Sequence, residues 1–218
     1  MENNFKKTDL WFTLFIGVVC TGLMVIIAGN LATENQAINA VIPYINYLLI
    51  IFPILCILGI IIAYFLSKIM PVIYQVAKFI LVGGMNFLID MGVLNFLIFY
   101  TGISAGLAQS GFKGISFLVA TVNSYFWNKH WTFQRKTSEG LAREFLQFLA
   151  VSLIGFLINL GVDYVFVNMI SPFGGMLANT WAQFGALMAS IVALFWNFLG
   201  YKFIVFDSKK ETISQTTV

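Results

Sequence analysis

Phe79-Ile80-Leu81-Val82-Gly83-Gly84-Met85-Asn86-Phe87-Leu88-Ile89-Asp90-Met91-Gly92-Val93 decides the fold, because much of it is written twice. At a constant offset of 69, Phe79, Val82, Phe87, Leu88, Ile89, Gly92 and Val93 recur as Phe148, Val151, Phe156, Leu157, Ile158, Gly161 and Val162. Farther along the offset becomes 73, and Val119, Ala120, Lys129 and Phe133 recur as Val192, Ala193, Lys202 and Phe206. A four-residue change of offset belongs in the connection between two helices, where insertions are tolerated. The repeated unit is thus a pair of apolar segments ending in an aromatic, asparagine-rich stretch with a lysine. Duplicated pairs of this kind build membrane sites at repeat interfaces, which makes transport the first functional expectation.

Composition places the pair in a bilayer. The chain is 60% hydrophobic and 10% charged, with a mean hydropathy of +0.89, which excludes an ordinary soluble domain. Apolar stretches near residues 10–29, 44–67, 78–100, 107–128, 145–168 and 178–200 approach or exceed the roughly 20 residues that cross a hydrocarbon core. They are continuously apolar and do not alternate as barrel strands do. The expected fold is all-α: a polytopic helical bundle with six transmembrane helices, made of two parallel two-helix repeats plus an amino-terminal hairpin. Pro53 falls inside the second span and is expected to kink it. For residues 1–29 a secretory signal peptide competes, but the run from Leu10 to Gly29 exceeds the 7–15 residues of a signal h-region, so a retained helix is expected.

Residues 1–70 form an accessory hairpin with no counterpart in the repeat, and its outer loop holds Glu34. Residues 71–206 form the main domain, with repeats at 77–133 and 146–206, and 207–218 is a polar cytoplasmic tail. Because each repeat has two spans, the copies share one topology and should be related by an approximate twofold axis along the membrane normal. Of the twelve Lys and Arg residues, all but Lys113 fall on one side when the amino terminus is cytoplasmic. The positive-inside rule then puts both termini in the cytoplasm. The formal charge of +3 needs no nucleic acid. Cys20 and Cys56 read as small buried hydrophobes, and His130 as an interfacial residue. Ala178, Ala182, Ala186 and Ser190, and likewise Gly106, Ser110 and Gly114, recur every fourth residue. Such stripes let helices approach closely. They are read as internal packing, with a homodimer through one of these faces as the alternative.

Charges inside a membrane need a partner or a function. By helical rise, Asp90 lies roughly 18 Å above Lys78, and Lys113 roughly 24 Å above Lys129 on the descending helix. Their heights place them to pair, and Asn86 is one turn below Asp90. The second copy has Asn159 and Ala186 instead, losing both charges together. At the inner boundary, Tyr125, Trp127 and Trp131 fit an interfacial belt. Asn123 and Asn128 must still find partners there, and with Lys129 they make a donor-rich patch of the kind that holds a phosphate. Asn197, Tyr201 and Lys202 are the second copy's version. The candidate substrate-binding set is Asn123, Asn128, Lys129, Trp131, Asn197 and Lys202, with Lys113, Asp90 and Asn86 farther out. No nucleophile–base set, phosphate loop or metal cluster is evident, so no enzyme, cofactor or metal is expected.

Val82-Gly83-Gly84-Met85-Asn86-Phe87-Leu88-Ile89-Asp90, followed by Ala120-Thr121-Val122-Asn123-Ser124-Tyr125-Phe126-Trp127-Asn128-Lys129-His130-Trp131-Thr132-Phe133, resembles the GtrA-like family. Asn197-Phe198-Leu199-Gly200-Tyr201-Lys202-Phe203-Ile204-Val205-Phe206 is similar to that family's closing motif. The resemblance implies a small bacterial membrane protein that translocates polyprenyl-phosphate-linked sugars for surface polysaccharide, teichoic acid or glycoprotein modification. It also implies a membrane glycosyltransferase partner. Members commonly have four spans, so the extra hairpin departs from the pattern and suggests partner docking or oligomerisation. The leading expectation is a flippase for an undecaprenyl-phosphate monosaccharide in the bacterial plasma membrane. Lys129 and Lys202 would capture the phosphate, and Lys113, balanced by Asp90, would receive it farther out. The rivals are a noncatalytic subunit that anchors or activates a glycosyltransferase, and a small-solute or ion transporter coupled through Asp90.

Overall fold

A computed structural model describes residues 5–32, 43–135, 140–174 and 177–206. The loop with Glu34, the middle of the 134–143 linker and the tail from Asp207 lie outside the described residues. The described chain is all-helical: α1 Lys7–Ala32, α2 Leu48–Leu66, α3 Val72–Thr101, α4 Gly106–Trp127, α5 Leu141–Met169 and α6 Ala178–Gly200. Segments this apolar leave their backbone polar groups no partner but each other, which selects helices.

Five helices, α1, α2, α3, α5 and α6, are long and apolar enough to cross a membrane. The chain is a polytopic helical membrane protein. The sixth expected span, α4, has 22 residues but falls short in apolarity because Gln109, Ser110, Lys113, Ser116, Asn123 and Ser124 stud it. It retraces α3 in antiparallel: Asp90 on α3 meets Ser116 on α4, and Gln75 meets the Thr132 carbonyl. The turn between them starts at Gly102, which caps α3 at φ 71° and bonds the Ile98 carbonyl, a left-handed cap that glycine adopts without a Cβ penalty. The change of offset is where it was expected: four residues, 102–105, join α3 to α4, and eight, 170–177, join α5 to α6.

The chain divides into two compact units at Gln134/Arg135. In the first, α1 packs on α2 and α3, α2 on α3, and α3 on α4, so the amino-terminal hairpin and the first repeat share one unit. Bare glycine sets the closest approach of α1 to α2, since a Cβ on Gly17 would lie 2.7 Å from the Pro53 Cα. Pro53 sits within an uninterrupted α2, buried at that contact. Ile16, Cys20, Val82, Met85 and Trp131 form a core cluster there. Cys20 and Cys56 are both buried and unbonded to one another.

In the second unit α5 packs on α6. The contact is made by Gly155 opposite Asn197, and by Gly185, Ala189, Ala193 and Gly200 on α6. The stripe expected to pack internally is a different one. Ala178, Ala186 and Ser190 are exposed, as are Gly106, Ser110 and Gly114 of α4. The physical reason is rotational: the buried small residues lie on a neighbouring row of α6, while Ser190 of the expected stripe reaches α5 at the edge, through Asn159, and fourfold spacing alone does not say which row faces inward.

Candidate functional site

Each repeat ends in a widened turn. α4 continues into a five-residue π-helix, Asn128–Thr132, and α6 into another, Tyr201–Val205. These are corresponding positions in the two copies. In each, an i+5 bond closes the turn: the Phe133 N–H to the Asn128 carbonyl, and the Phe206 N–H to the Tyr201 carbonyl, both at 2.8 Å. In each, the entering N–H is shared between two carbonyls, Ser124 and Tyr125 for Asn128, Asn197 and Phe198 for Tyr201. The ring closing each turn packs on the repeat's first phenylalanine: Phe79–Phe133 at 6.4 Å and Phe148–Phe206 at 6.1 Å. π-turns inside helices are rare and frequent at functional sites.

The two tips carry the candidate lysines but hold them differently. Lys129 is buried, donating to the Tyr125 hydroxyl at 3.2 Å with its ammonium 5.4 Å from that ring's centroid. Lys202 is half-buried between the rings of Phe198 and Phe203, at 5.5 and 5.6 Å, with no carboxylate partner among the described residues. Asn128 gives its amide to the Ser124 carbonyl at 2.9 Å and to the Ser124 hydroxyl at 3.2 Å, while its Oδ1 is buried without a hydrogen-bond partner. Asn86 Oδ1, Asn123 Nδ2, Thr132 Oγ1 and Asn197 Oδ1 are orphaned in the same way. Buried polar atoms are nearly always paired, so five orphans along the repeat helices and tips mark buried polar positions that suit ordered water or a polar ligand.

Trp131 of the candidate set is engaged elsewhere. Its indole N–H donates to Asp9 Oδ1 at 2.8 Å. Lys78 Nζ reaches the same oxygen at 2.6 Å, and the Tyr74 hydroxyl donates to Oδ2 at 2.9 Å. The Lys6 backbone N–H completes the set at 3.1 Å. Asp9 and Trp131 are each 2% exposed and Lys78 1%. Sequence reasoning missed Asp9, and read Lys78 as a topological charge. An acid in the first turn of an apolar span was the available signal, masked by Lys6 three residues before it, which offers a local partner.

Farther along the first unit, Asp90 and Lys113 are brought together in a salt bridge. Ser116 donates to the other carboxylate oxygen at 2.6 Å. In the second unit Asn159 and Ser190 make a weaker, neutral contact of 3.4 Å. The Asp90 carboxylate lies within a membrane-crossing helix, so Asp90→Asn leaves the Lys113 ammonium without its counter-ion there and is expected to lower stability by about 2–3 kcal/mol. Thermal unfolding in detergent checks this, and an unchanged melting temperature would contradict it.

The helices and polar tips define a multi-pass membrane protein built on a duplicated hairpin. The family described as GtrA/DPMS, transmembrane domain, matches residues 78–206, and the chain belongs to that family. Among its relatives, the "Uncharacterized membrane protein YngA" of Bacillus subtilis (strain 168) is 31% identical over 142 residues, 65% of this chain and 85% of the relative. No solved structure matches the chain.

Proposed function

We propose that the chain is a noncatalytic translocator that moves a polyprenyl-phosphate-linked monosaccharide, with undecaprenyl phosphate as carrier, from the cytoplasmic to the outer leaflet of a bacterial plasma membrane. Both termini lie in the cytoplasm in this reading. A membrane glycosyltransferase loads the lipid on the inner face, and the sugar serves cell-surface polymer modification. The carrying observation is the repeated lysine-bearing π-turn, Lys129 in one copy and Lys202 in the other. Each combines a cation with aromatic faces, and Asn128 and Asn197 add buried acceptors without partners. A phosphate is drawn to the ammonium groups and a sugar hydroxyl to the orphaned amide oxygens. Lys113, held half-exposed by Asp90, offers a second cation along the first unit. Such groups lower the desolvation cost of carrying an anion and a sugar through hydrocarbon. Among the described residues no nucleotide-binding loop appears, so flux is driven by use of the sugar outside or by an ion gradient.

The test is transfer of labelled lipid-linked sugar across vesicles containing the full chain. Each lysine contributes a charge-assisted bond of about 1.5–3 kcal/mol, so Lys129→Ala combined with Lys202→Ala is expected to cut transfer at least about 100-fold. Unchanged transfer would remove the lysines from the mechanism.

Burial of Lys129 against Tyr125 favours one second reading, a noncatalytic subunit whose tips stabilise or activate the glycosyltransferase. In that case the purified chain moves no lipid, while the partner's activity falls when the chain is absent.

A further inference from the structure

The four donors around Asp9 come from different parts of the first unit. Lys6 is on the approach to α1, Tyr74 and Lys78 lie one turn apart on α3, and Trp131 is in the π-turn after α4. A carboxylate with both oxygens so occupied is held in one orientation, and it holds its donors in turn. Aromatic contacts reinforce the same joint. Phe12 meets Trp127 edge-on at 5.4 Å and Trp131 at 6.0 Å, and Phe15 stacks on Trp127 at 5.9 Å. Lys78 also lies 4.4 Å from the Tyr74 ring centroid and 5.5 Å from that of Trp131.

The counterparts of two of these donors differ at the second tip. Gln147 and Ile204 stand at the positions of Lys78 and Trp131. Tyr201 there stacks on Phe148 at 4.1 Å and bonds the Ser152 hydroxyl at 2.6 Å. The family match begins at residue 78, so Lys78 and Trp131 lie within the family domain and Asp9 outside it. The first tip is therefore bonded to a carboxylate brought by the added hairpin, while Tyr201 of the second makes contacts within its own repeat.

We infer that Asp9 is a positioning residue for the substrate-binding tip of the first repeat: by accepting from Trp131 and Lys78 it fixes the π-turn that carries Asn128 and Lys129. The amino-terminal helix is then a working part of the site. This rests on the phosphate-binding reading of that tip for its functional consequence, but its geometric content stands apart from it.

The experiment uses the full chain in detergent, with its five tryptophans replaced by 5-fluorotryptophan and the Trp131 fluorine resonance assigned by its loss in Trp131→Phe. Asp9→Ala leaves a buried, unpaired Lys78, so Asp9→Leu combined with Lys78→Met serves as the variant that folds. In the double variant the Trp131 resonance is expected to move and to broaden with a water-soluble paramagnet. Affinity for undecaprenyl phosphate is expected to fall about tenfold, equivalent to 1.4 kcal/mol. Asp9→Glu, which keeps both acceptor oxygens, is expected to restore most of each. A Trp131 signal as shielded as in the wild type overturns the inference, and so does a mobile Trp131 with undiminished affinity. If the wild type itself binds no undecaprenyl phosphate, the proposed function falls, and the fluorine spectra alone decide whether Asp9 holds the turn.

Discussion

Lys78→Ala is expected to destabilise the first unit by about 3–5 kcal/mol, because it leaves the Asp9 carboxylate buried without its cation. The geometry makes this a severe case. The two side chains are 2% and 3% exposed at a separation of 2.6 Å, so the remaining charge is cut off from bulk solvent. Tyr74 and Trp131 would still donate to Asp9, but neutral donors offset only part of the desolvation cost. For a chain of this length the loss corresponds to a fall in melting temperature of about 6–20 °C, measured by circular dichroism in detergent. The informative control is the double variant Asp9→Leu, Lys78→Met. Replacing a buried pair by apolar side chains of similar volume is often neutral, so its melting temperature should return close to the wild-type value. A single Lys78→Ala variant as stable as wild type would mean that the pair is solvated in the folded protein.

Gly155→Val should disrupt the second unit by a different route. A Cβ at Gly155 would lie 2.2 Å from Asn197 Oδ1 and 2.8 Å from its Cγ, and one at Gly200 would lie 2.4 Å from Val151 Cγ1. These two glycines face each other's helix, so α5 and α6 approach through reciprocal notches. A side chain in either notch pushes the helices apart or drives Asn197 from its place. Overpacking of this kind costs about 1–3 kcal/mol, and the branched valine belongs at the upper end. That end of the range lowers the melting temperature by about 6–12 °C. It should also loosen the Trp196 indole bond to the Val151 carbonyl across the seam, now 3.1 Å. Unchanged stability together with an unchanged Trp196 environment would show that Asn197 swings away freely.

The long apolar runs made most of the fold legible, since in lipid only helices satisfy such backbone. The doubled motif likewise located the four-residue difference between the two connections. Asp90 and Lys113 were legible as a pair because helical rise alone fixes their heights. What escaped was set by rotation and by contacts between distant residues. Asp9 meets Lys78 and Trp131 across 69 and 122 positions, and no local pattern announces such a meeting. Trp131 read as a membrane-interface residue, yet its N–H is committed inside the protein. The π-turns depend on one hydrogen bond stepping from i+4 to i+5, a difference smaller than any residue preference encodes. For the small-residue rows the spacing was visible, but the inward direction was not.

The widened turn occurs at the same place in both copies, down to the shared carbonyls and the phenylalanine that closes it. A feature common to two halves of one gene is older than the event that doubled it. The π-turn and its lysine therefore belong to an ancestral single hairpin. Asp90, Lys113, Lys78 and Trp131, each without a like residue in the other half, record divergence after duplication. An ancestor with one hairpin had one such tip, and doubling made two alike. In this chain the first has since gained bonds to Asp9 from outside the repeat, and the second a tyrosine where the first has Asn128.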